Sequence, residues 1–134
     1  MTTRRVLAIS SAVEVLTGLA LIASPTLFLQ LLLRANLTDG GVALGRVGGF
    51  ALLSLGLSCW PGADVSTVQS TSALFTYNLL TALYLMYLGV SREFVGFLLW
   101  LACALHASLA ILLAHSAYEG VRRERLAIQS SKIG

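Results

Sequence analysis

Three polar side chains lie deep inside long apolar stretches of this sequence. Glu14, Asn78 and His106 each stand within one residue of the middle of such a stretch. Polar groups at membrane depth are costly, and those that occur there usually face a bundle interior, where they bind ligands or relay protons. A carboxyl group is the most demanding of the three, since it must be protonated, paired or used. These residues are therefore the first candidates for a functional site.

Small or hydroxyl-bearing residues surround each of these positions at helical spacing. They are Ser10, Thr17 and Gly18 beside Glu14, Thr71 and Thr81 beside Asn78, and Ala102, Cys103 and Ala110 beside His106. Residues three, four or seven positions apart share one helix face, so we expect these three faces to meet each other. Arg46, Tyr77 and Thr81 complete the predicted set of ligand-binding or polar-core residues. The alternative is structural, since buried Asn and His side chains often only bridge helices.

Arg46 is the remaining charge inside an apolar stretch. At a rise of 1.5 Å per residue it lies about 7 Å from the middle of its stretch, toward the predicted outer side. An ion pair with Glu14 would neutralise both charges. The other interpretation is that Arg46 reaches lipid head groups, because side chains lean toward the N-terminus of their own helix. The sequence leaves both interpretations open.

Nothing in the sequence indicates a metal site, a cofactor or a catalytic residue, and we predict none. His115 is nine residues from His106, about half a turn around the helix, so the two cannot bind one ion from one face. The sequence contains no Cys-x-x-Cys, nucleotide-binding loop or His-Glu-x-x-His motif. We interpret Cys59 and Cys103 as small buried apolar residues and not as a disulfide framework.

The composition identifies the class of protein to which these residues belong. The chain has 134 residues, of which 57% are hydrophobic and 11% charged. Soluble domains carry about 25% charged residues, so we predict a multi-pass integral membrane protein in contact with the lipid bilayer. The net charge of +3 does not indicate a nucleic-acid partner, because the basic residues flank apolar runs.

The elements that position the polar residues are predicted from the apolar runs and their breaks. We predict a single all-α membrane domain over residues 1–134. Its spans are about 6–24, 42–60, 66–90 and 94–116, each with the roughly 20 residues that a bilayer requires. A short interfacial segment follows the first span, and a basic cytoplasmic tail covers 119–134. The connections, with a stop around Asp64 and a polar corner at 92–93, are short enough to require an antiparallel four-helix bundle.

A stripe of glycines marks the second span. The stripe consists of Gly41, Gly45, Gly49 and Gly56. Small residues on one face let another helix approach closely, and close packing drives helix association in lipid. We therefore predict helix-packing roles for these glycines and a central place for this helix.

The basic residues predict the orientation of the bundle. With both termini inside, the cytoplasmic side carries six Lys and Arg residues, namely Arg4, Arg5, Arg122, Arg123, Arg125 and Lys132. The outer side carries only Arg34 and Arg92, with Arg46 nearby. The positive-inside rule then favours an N-in/C-in topology. We expect a bacterial cytoplasmic (inner) membrane.

Two family resemblances arise from these motifs. The layout resembles the small four-helix bacterial membrane proteins grouped loosely as DoxX-like, most of which have no assigned activity. The similarity rests on a polar first helix before Pro25, the run 44–49 opening the second, Tyr77 and Asn78 in the third, and 105–107 in the fourth.

A narrower resemblance covers residues 13–15. Val13, Glu14 and Val15 in a first helix are similar to the small multidrug-resistance transporters. That resemblance implies a glutamate that binds protons and cationic substrates in an antiparallel dimer. The proline-broken first loop and the basic tail depart from that family's pattern.

These observations lead to one leading function and two alternatives. We predict a small non-catalytic membrane protein, either an accessory subunit of a larger membrane complex or a binder of a lipid-like or quinone-like ligand. Expected partners are other membrane subunits or further copies of the chain, and a hydrophobic small molecule. The alternatives are a proton-coupled transporter using Glu14, and a membrane-embedded enzyme that uses Glu14 and His106 as acid and base on a lipophilic substrate.

Overall fold

Helices account for all regular structure in the part of the chain that is described. The computed structural model describes residues 2–62, 67–91 and 96–131, with side chains as far as 122. The helices are α1 (Thr3–Ala23), α2 (Pro25–Leu33), α3 (Asp39–Ser58), α4 (Thr67–Ser91) and α5 (Leu99–Ser131). All of them except α2 are long and apolar enough to cross a membrane. The prediction of an all-α protein with four candidate spans is confirmed.

The helices break at residues that end one helix or cap the next. Pro25 opens α2 at its first helical position, where the missing N–H is not needed. Arg34 ends α2 in the left-handed conformation, with φ at 57°. Thr38 caps α3, because its side-chain oxygen accepts a hydrogen bond from the Gly41 N–H at 3.3 Å. The segment predicted after the first span is therefore a separate short helix.

Glycine contacts join α1 to α3. A Cβ atom placed on Gly49 would lie 2.8 Å from the carbonyl oxygen of Gly18, and one on Gly56 would lie 2.7 Å from that of Ser11. Real Cβ atoms essentially never make contacts under 3.0 Å, so the helices can approach this closely only with glycine. From Gly49 to Gly56 the residue number rises along α3, while the contacted residue on α1 changes from Gly18 to the earlier Ser11. These two helices therefore run in opposite directions.

The two remaining glycines of the predicted packing stripe lie nearer the start of α3. A Cβ atom on Gly45 would lie 2.9 Å from Cβ of Pro25, which opens α2. Gly41 faces Leu37 in its own capping turn, with Cδ2 3.1 Å from the added atom. Gly45 therefore packs against a neighbouring helix, whereas Gly41 allows the turn that starts α3.

The second tightly packed pair consists of α4 and α5. A Cβ atom on Gly89 would lie 2.8 Å from the Trp100 ring, so this glycine makes room for the indole. Further along α5, the Cys103 thiol donates to the Ala82 carbonyl at 3.5 Å. The contacts pair Gly89 with Trp100 and the earlier Ala82 with the later Cys103. α4 and α5 therefore also run in opposite directions.

The central helix is α1, and the prediction of a central place for the glycine-rich helix is wrong. α1 packs mainly against α3 and also touches α2, α4 and α5. Among the described residues α3 packs against α1 and touches α2, without a comparable contact to α4 or α5. Only 11% of the apolar stretch of α3 is buried, against 39% in α1. Gly49 and Gly56 of the stripe pack against α1 and Gly45 packs against α2, and many of the bulky residues on the other sides of α3 are exposed.

A backbone hydrogen bond ties the start of α5 to α2. The Leu98 N–H donates to the Leu31 carbonyl at 3.0 Å, and Leu31 belongs to the last turn of α2, where carbonyls lack helical partners. Gly96 packs directly on Leu32 of the same turn. Because residues 96–98 form this contact, α5 begins at Leu99, later than the predicted start of the fourth span. α5 then continues through most of the predicted tail to Ser131.

Two of the predicted connections cannot be compared with the structure. The polar corner at 92–93 and the stop residue Asp64 lie outside the described residues, as do the side chains beyond 122.

Apolar side chains fill the core and also cover the outside. The core cluster consists of Val6, Leu7, Cys59, Leu74 and Leu113, all of them buried. Cys103 is buried as well, and both cysteines are free thiols. Large apolar side chains on all four long helices are exposed, among them Leu16, Leu44, Leu83 and Leu101. An outer surface of this kind is consistent with contact with a lipid bilayer.

Candidate functional site

Asn78 is the hub of a buried polar cluster between α1, α4 and α5. Its side chain is fully buried. The amide nitrogen donates to the Ser10 hydroxyl at 3.0 Å and to the Leu74 carbonyl at 2.8 Å. A carbonyl can only accept, so the nitrogen must face this side. Both amide hydrogens are therefore used, and the amide oxygen points to α5.

His106 binds that amide oxygen. Nδ1 of the ring lies 2.8 Å from Oδ1 of Asn78. Because Oδ1 is an acceptor only, Nδ1 must carry the hydrogen and donate it. The Tyr77 ring meets the imidazole edge-on, with the ring centroids 5.9 Å apart and the planes at 79°. The orientation of the histidine ring is therefore fixed by two contacts, the hydrogen bond from Nδ1 to Asn78 and the T-shaped contact with the Tyr77 ring.

Glu14 is fully buried beside this cluster without a hydrogen bond of its own. Its side chain has no exposed surface, and Tyr77 and Asn78 are its polar neighbours. Neither carboxyl oxygen makes a hydrogen bond of acceptable geometry with any described residue, and the same holds for the Ser11 hydroxyl. An isolated carboxylate in such a place is unstable relative to its neutral form. Glu14 is thus a buried carboxyl group that forms neither a hydrogen bond nor an ion pair with the described residues.

A partly open cavity of about 350 Å³ adjoins the cluster. Its walls are mainly apolar and come from all five helices, with Leu52 contributed by α3 and with Phe28 and Leu85 among the larger side chains. The polar groups that line it are Thr17, Tyr77, Thr81 and His106. A mainly apolar cavity of 300 to 1,000 Å³ with a few convergent polar groups is typical of small-molecule sites.

The predicted site residues divide into those that meet and one that does not. Asn78 and His106 are bonded to each other, and Glu14 and Thr81 are the polar neighbours of the Tyr77 hydroxyl. Their positions in separate spans were predicted from sequence depth, and the structure brings them into one neighbourhood.

Arg46 stands apart from this neighbourhood. Its side chain is exposed, and it forms no ion pair with Glu14. The reason is the glycine face of α3. Gly45 and Gly49 turn toward α1 and α2, and consecutive residues differ by about 100° around a helix. Of the two interpretations of Arg46, the arrangement matches an outward-facing side chain.

Sequence reasoning missed the contribution of α2 to the cavity. Phe28, Leu29 and Leu32 line it, whereas the sequence predicted this segment only as an interfacial helix. A usable signal was present, because a helix opened by Pro25 and made almost wholly of apolar residues needs an apolar surface to lie on. The sequence placed Ser10 on the face of Glu14 but did not identify a partner for its hydroxyl, and the hydrogen bond from Asn78 appears only in the structure. Ser11 beside it is equally buried and has no partner among the described residues.

The described residues contain no group of three or more His, Cys, Asp or Glu side chains that could hold a metal ion. Comparison with protein-family models, with curated proteins and with solved structures gives no match. The chemistry of the site therefore has to be argued from its own geometry.

Proposed function

We propose that this chain is a small non-catalytic membrane protein that binds a lipophilic ligand, lipid-like or quinone-like, in the cavity beside His106. One observation carries the proposal. A mainly apolar, partly open cavity between the helices is lined by a few polar groups, among them Tyr77, Thr81 and His106, and the Tyr77 and His106 rings are in contact. Apolar walls suit an acyl or isoprenoid chain, and the polar end suits a head group.

The proposed setting is an antiparallel four-helix bundle in a bacterial inner membrane, with both termini in the cytoplasm. The opposite directions of α1 and α3, and of α4 and α5, support the bundle. Arg4 and Arg5 lie at the start of the first candidate span and Arg122 at the end of the fourth, the ends assigned to the cytoplasm. Assignment to the DoxX-like families is part of the same proposal and rests on the layout and short motifs given above.

The proposed function is tested by blocking the cavity. Ala102 lines it, so Ala102→Trp would fill the space with an indole. Ala104 on the same helix is exposed, and Ala104→Trp is the matched control. Native mass spectrometry of the protein released from membranes should show a retained lipophilic species for the unaltered protein and for Ala104→Trp, and its loss in Ala102→Trp.

The same measurement has informative alternatives. Equal retention by both variants, with folding intact, would show that the ligand lies elsewhere and contradict the proposal. A stable complex with another polypeptide and no small molecule would instead favour an accessory subunit, and a mass of two chains would reveal a homo-oligomer.

Proton-coupled transport is the second candidate, and it is favoured by the buried, unpaired carboxyl group of Glu14. A group of this kind can gain and lose a proton if water reaches it from either side in turn. Reconstituted vesicles with an imposed pH gradient test this role. Substrate-dependent proton flux that disappears in Glu14→Gln would support it, and absence of flux with a panel of organic cations would count against it.

A further inference from the structure

We propose that the cavity selects an amphiphile whose head group carries a hydroxyl, and that this hydroxyl donates a hydrogen bond to Nε2 of His106. The inference rests on the proposed function and narrows it to one head-group chemistry. Hydroxyl heads of this kind occur both on reduced quinones and on neutral glycerides, and the experiment below separates the two sources.

The argument begins with a chain of fixed hydrogen bonds. The Leu74 carbonyl can only accept, so it fixes the amide nitrogen of Asn78 on its side at 2.8 Å. The Asn78 oxygen then faces His106 and can only accept, so it fixes the hydrogen on Nδ1 across 2.8 Å. Each step determines the next. All three residues lie inside helices, Leu74 and Asn78 in α4 and His106 in α5.

The consequence of this chain falls on the other ring nitrogen. A neutral imidazole with its hydrogen on Nδ1 has a lone pair on Nε2 and no hydrogen there. A buried imidazolium would need a counter-charge. The carboxyl oxygens of Glu14 form no hydrogen bond with the ring or with any other described residue, so the structure shows no paired imidazolium here. In the neutral ring Nε2 is therefore an acceptor, and it becomes a donor only if the ring takes up a second proton.

Nε2 also lies where a ligand can reach it. His106 is 6% exposed and lines the cavity. No described residue forms a hydrogen bond with Nε2. Nε2 also keeps some exposed surface, unlike the two Glu14 oxygens, which are fully buried without a partner. A buried acceptor without a partner is unfavourable, and a hydroxyl on the ligand would satisfy it.

The other polar groups of the cavity do not set the same preference. The Tyr77 hydroxyl lies beside Glu14 and Thr81, and a hydroxyl can rotate to donate or to accept. The Thr17 and Thr81 hydroxyls can rotate, so each accommodates either a donor or an acceptor. His106 alone demands a donor. A quinone or an ether, which has only acceptors, would leave Nε2 unpaired and bring two lone pairs together.

The test compares pairs of ligands in which one member has a hydroxyl head group and the other offers only acceptor oxygens there. Decylubiquinol is matched with decylubiquinone, and 1,2-didecanoylglycerol with its methyl ether, in equilibrium binding to the purified protein in detergent. We expect the hydroxyl member of the pair that binds to bind about tenfold tighter, which is the effect of one buried hydrogen bond. Whichever pair binds identifies the source of the head group.

A histidine variant checks that Nε2 carries the preference. His106→Phe retains an aromatic ring against Tyr77 and should reduce the ratio to about one. His115 on the same helix is exposed, and His115→Phe should leave the ratio unchanged. If His106→Phe does not fold, ring ¹⁵N NMR of the unaltered protein decides the point. Expected are a protonated Nδ1 in the free protein and a changed Nε2 resonance when the hydroxyl ligand binds.

Three results would overturn the inference. Equal affinity within both pairs, or a hydrogen on Nε2 in the free protein, contradicts the hydroxyl preference while leaving the proposed lipophilic ligand in place. Absence of binding by all four probes, together with unchanged retention in Ala102→Trp, contradicts the proposed function and this inference with it.

Discussion

Gly18 of α1 and Gly49 of α3 meet backbone to backbone. A Cβ atom on Gly18 would lie 2.7 Å from the Gly49 carbonyl oxygen, and one on Gly49 would lie 2.8 Å from that of Gly18. The contact is reciprocal, so neither helix can accept a side chain here unless both move. In lipid, where apolar burial alone does not bring helices together, such close packing is a main source of association.

The first prediction concerns this contact. Gly49→Leu should force α3 away from α1 and lower the stability of the protein markedly, by about 2 kcal/mol or more, because backbone atoms and not flexible side chains obstruct the new group. The neighbouring Gly48 is the control, since no atom lies within 4 Å of a Cβ placed there. Thermal unfolding in detergent micelles should separate the two leucine variants clearly. Equal midpoints of thermal unfolding for the two variants would contradict the close backbone contact between α1 and α3.

The second prediction uses two adjacent serines. Ser10 and Ser11 are both fully buried, but only the Ser10 hydroxyl has a partner among the described residues, the Asn78 amide at 3.0 Å. Ser10→Ala should therefore lower the free energy of unfolding by about 1 kcal/mol more than Ser11→Ala, which removes an unpaired hydroxyl. Unfolding in mixed micelles measures both. A larger loss in Ser11→Ala would show that the cluster is arranged differently in the bilayer.

The third prediction concerns Glu14. Glu14→Met replaces an unpaired buried carboxyl group by an apolar side chain of similar size, so the free energy of unfolding should rise by about 1 to 3 kcal/mol. Retention of such an unfavourable group is what a functional role would explain. Destabilisation by the same amount would reveal a partner for the carboxyl group.

Arg46 provides an independent check on that partner. Because Arg46 is exposed and not paired with Glu14, the effects of Glu14→Gln and Arg46→Gln on stability should add to within about 0.5 kcal/mol. A double-mutant cycle measures the coupling. A coupling well above that value would establish the ion pair that sequence depth alone allows.

The fourth prediction concerns topology. Single cysteines at Thr2 and Ser131 should react only with reagent that enters the cytoplasm, and a cysteine at Thr38 should react from outside. Cys59 and Cys103 are buried, and they would be replaced by alanine to remove background. Labelling of Thr38 and Ser131 from the same side would mean that the number of crossings is not four.

The depth of the polar residues was predictable, but their pairing was not. Glu14, Asn78 and His106 each lie near the middle of an apolar run of membrane-spanning length, so the sequence alone assigns them the same depth in the bilayer. Which of them bond depends on the rotation of each helix, and rotation is set by packing. The Asn78–His106 bond and the lack of a partner for Glu14 therefore appear only in the structure.

The glycine stripe shows the same division. Four-residue spacing from Gly45 to Gly49 predicted a close-packed face, and both glycines do contact a neighbouring helix. The spacing does not say which helices pack on that face or which helix has the most neighbours, because both depend on the arrangement of the whole bundle. For that reason the stripe did not reveal that α1, with its buried serines and Glu14, occupies the centre.

The division into two tight helix pairs bears on how the protein is made. α1 and α3 emerge from the ribosome first and can pack through their glycines before α4 exists. Until α4 and α5 arrive, however, Glu14 lacks the cover that Tyr77 and Asn78 supply. We therefore expect the early pair to leave the Glu14 carboxyl group uncovered on this side until the second pair docks. In biosynthesis, the polar cluster is the feature that commits the two halves to each other.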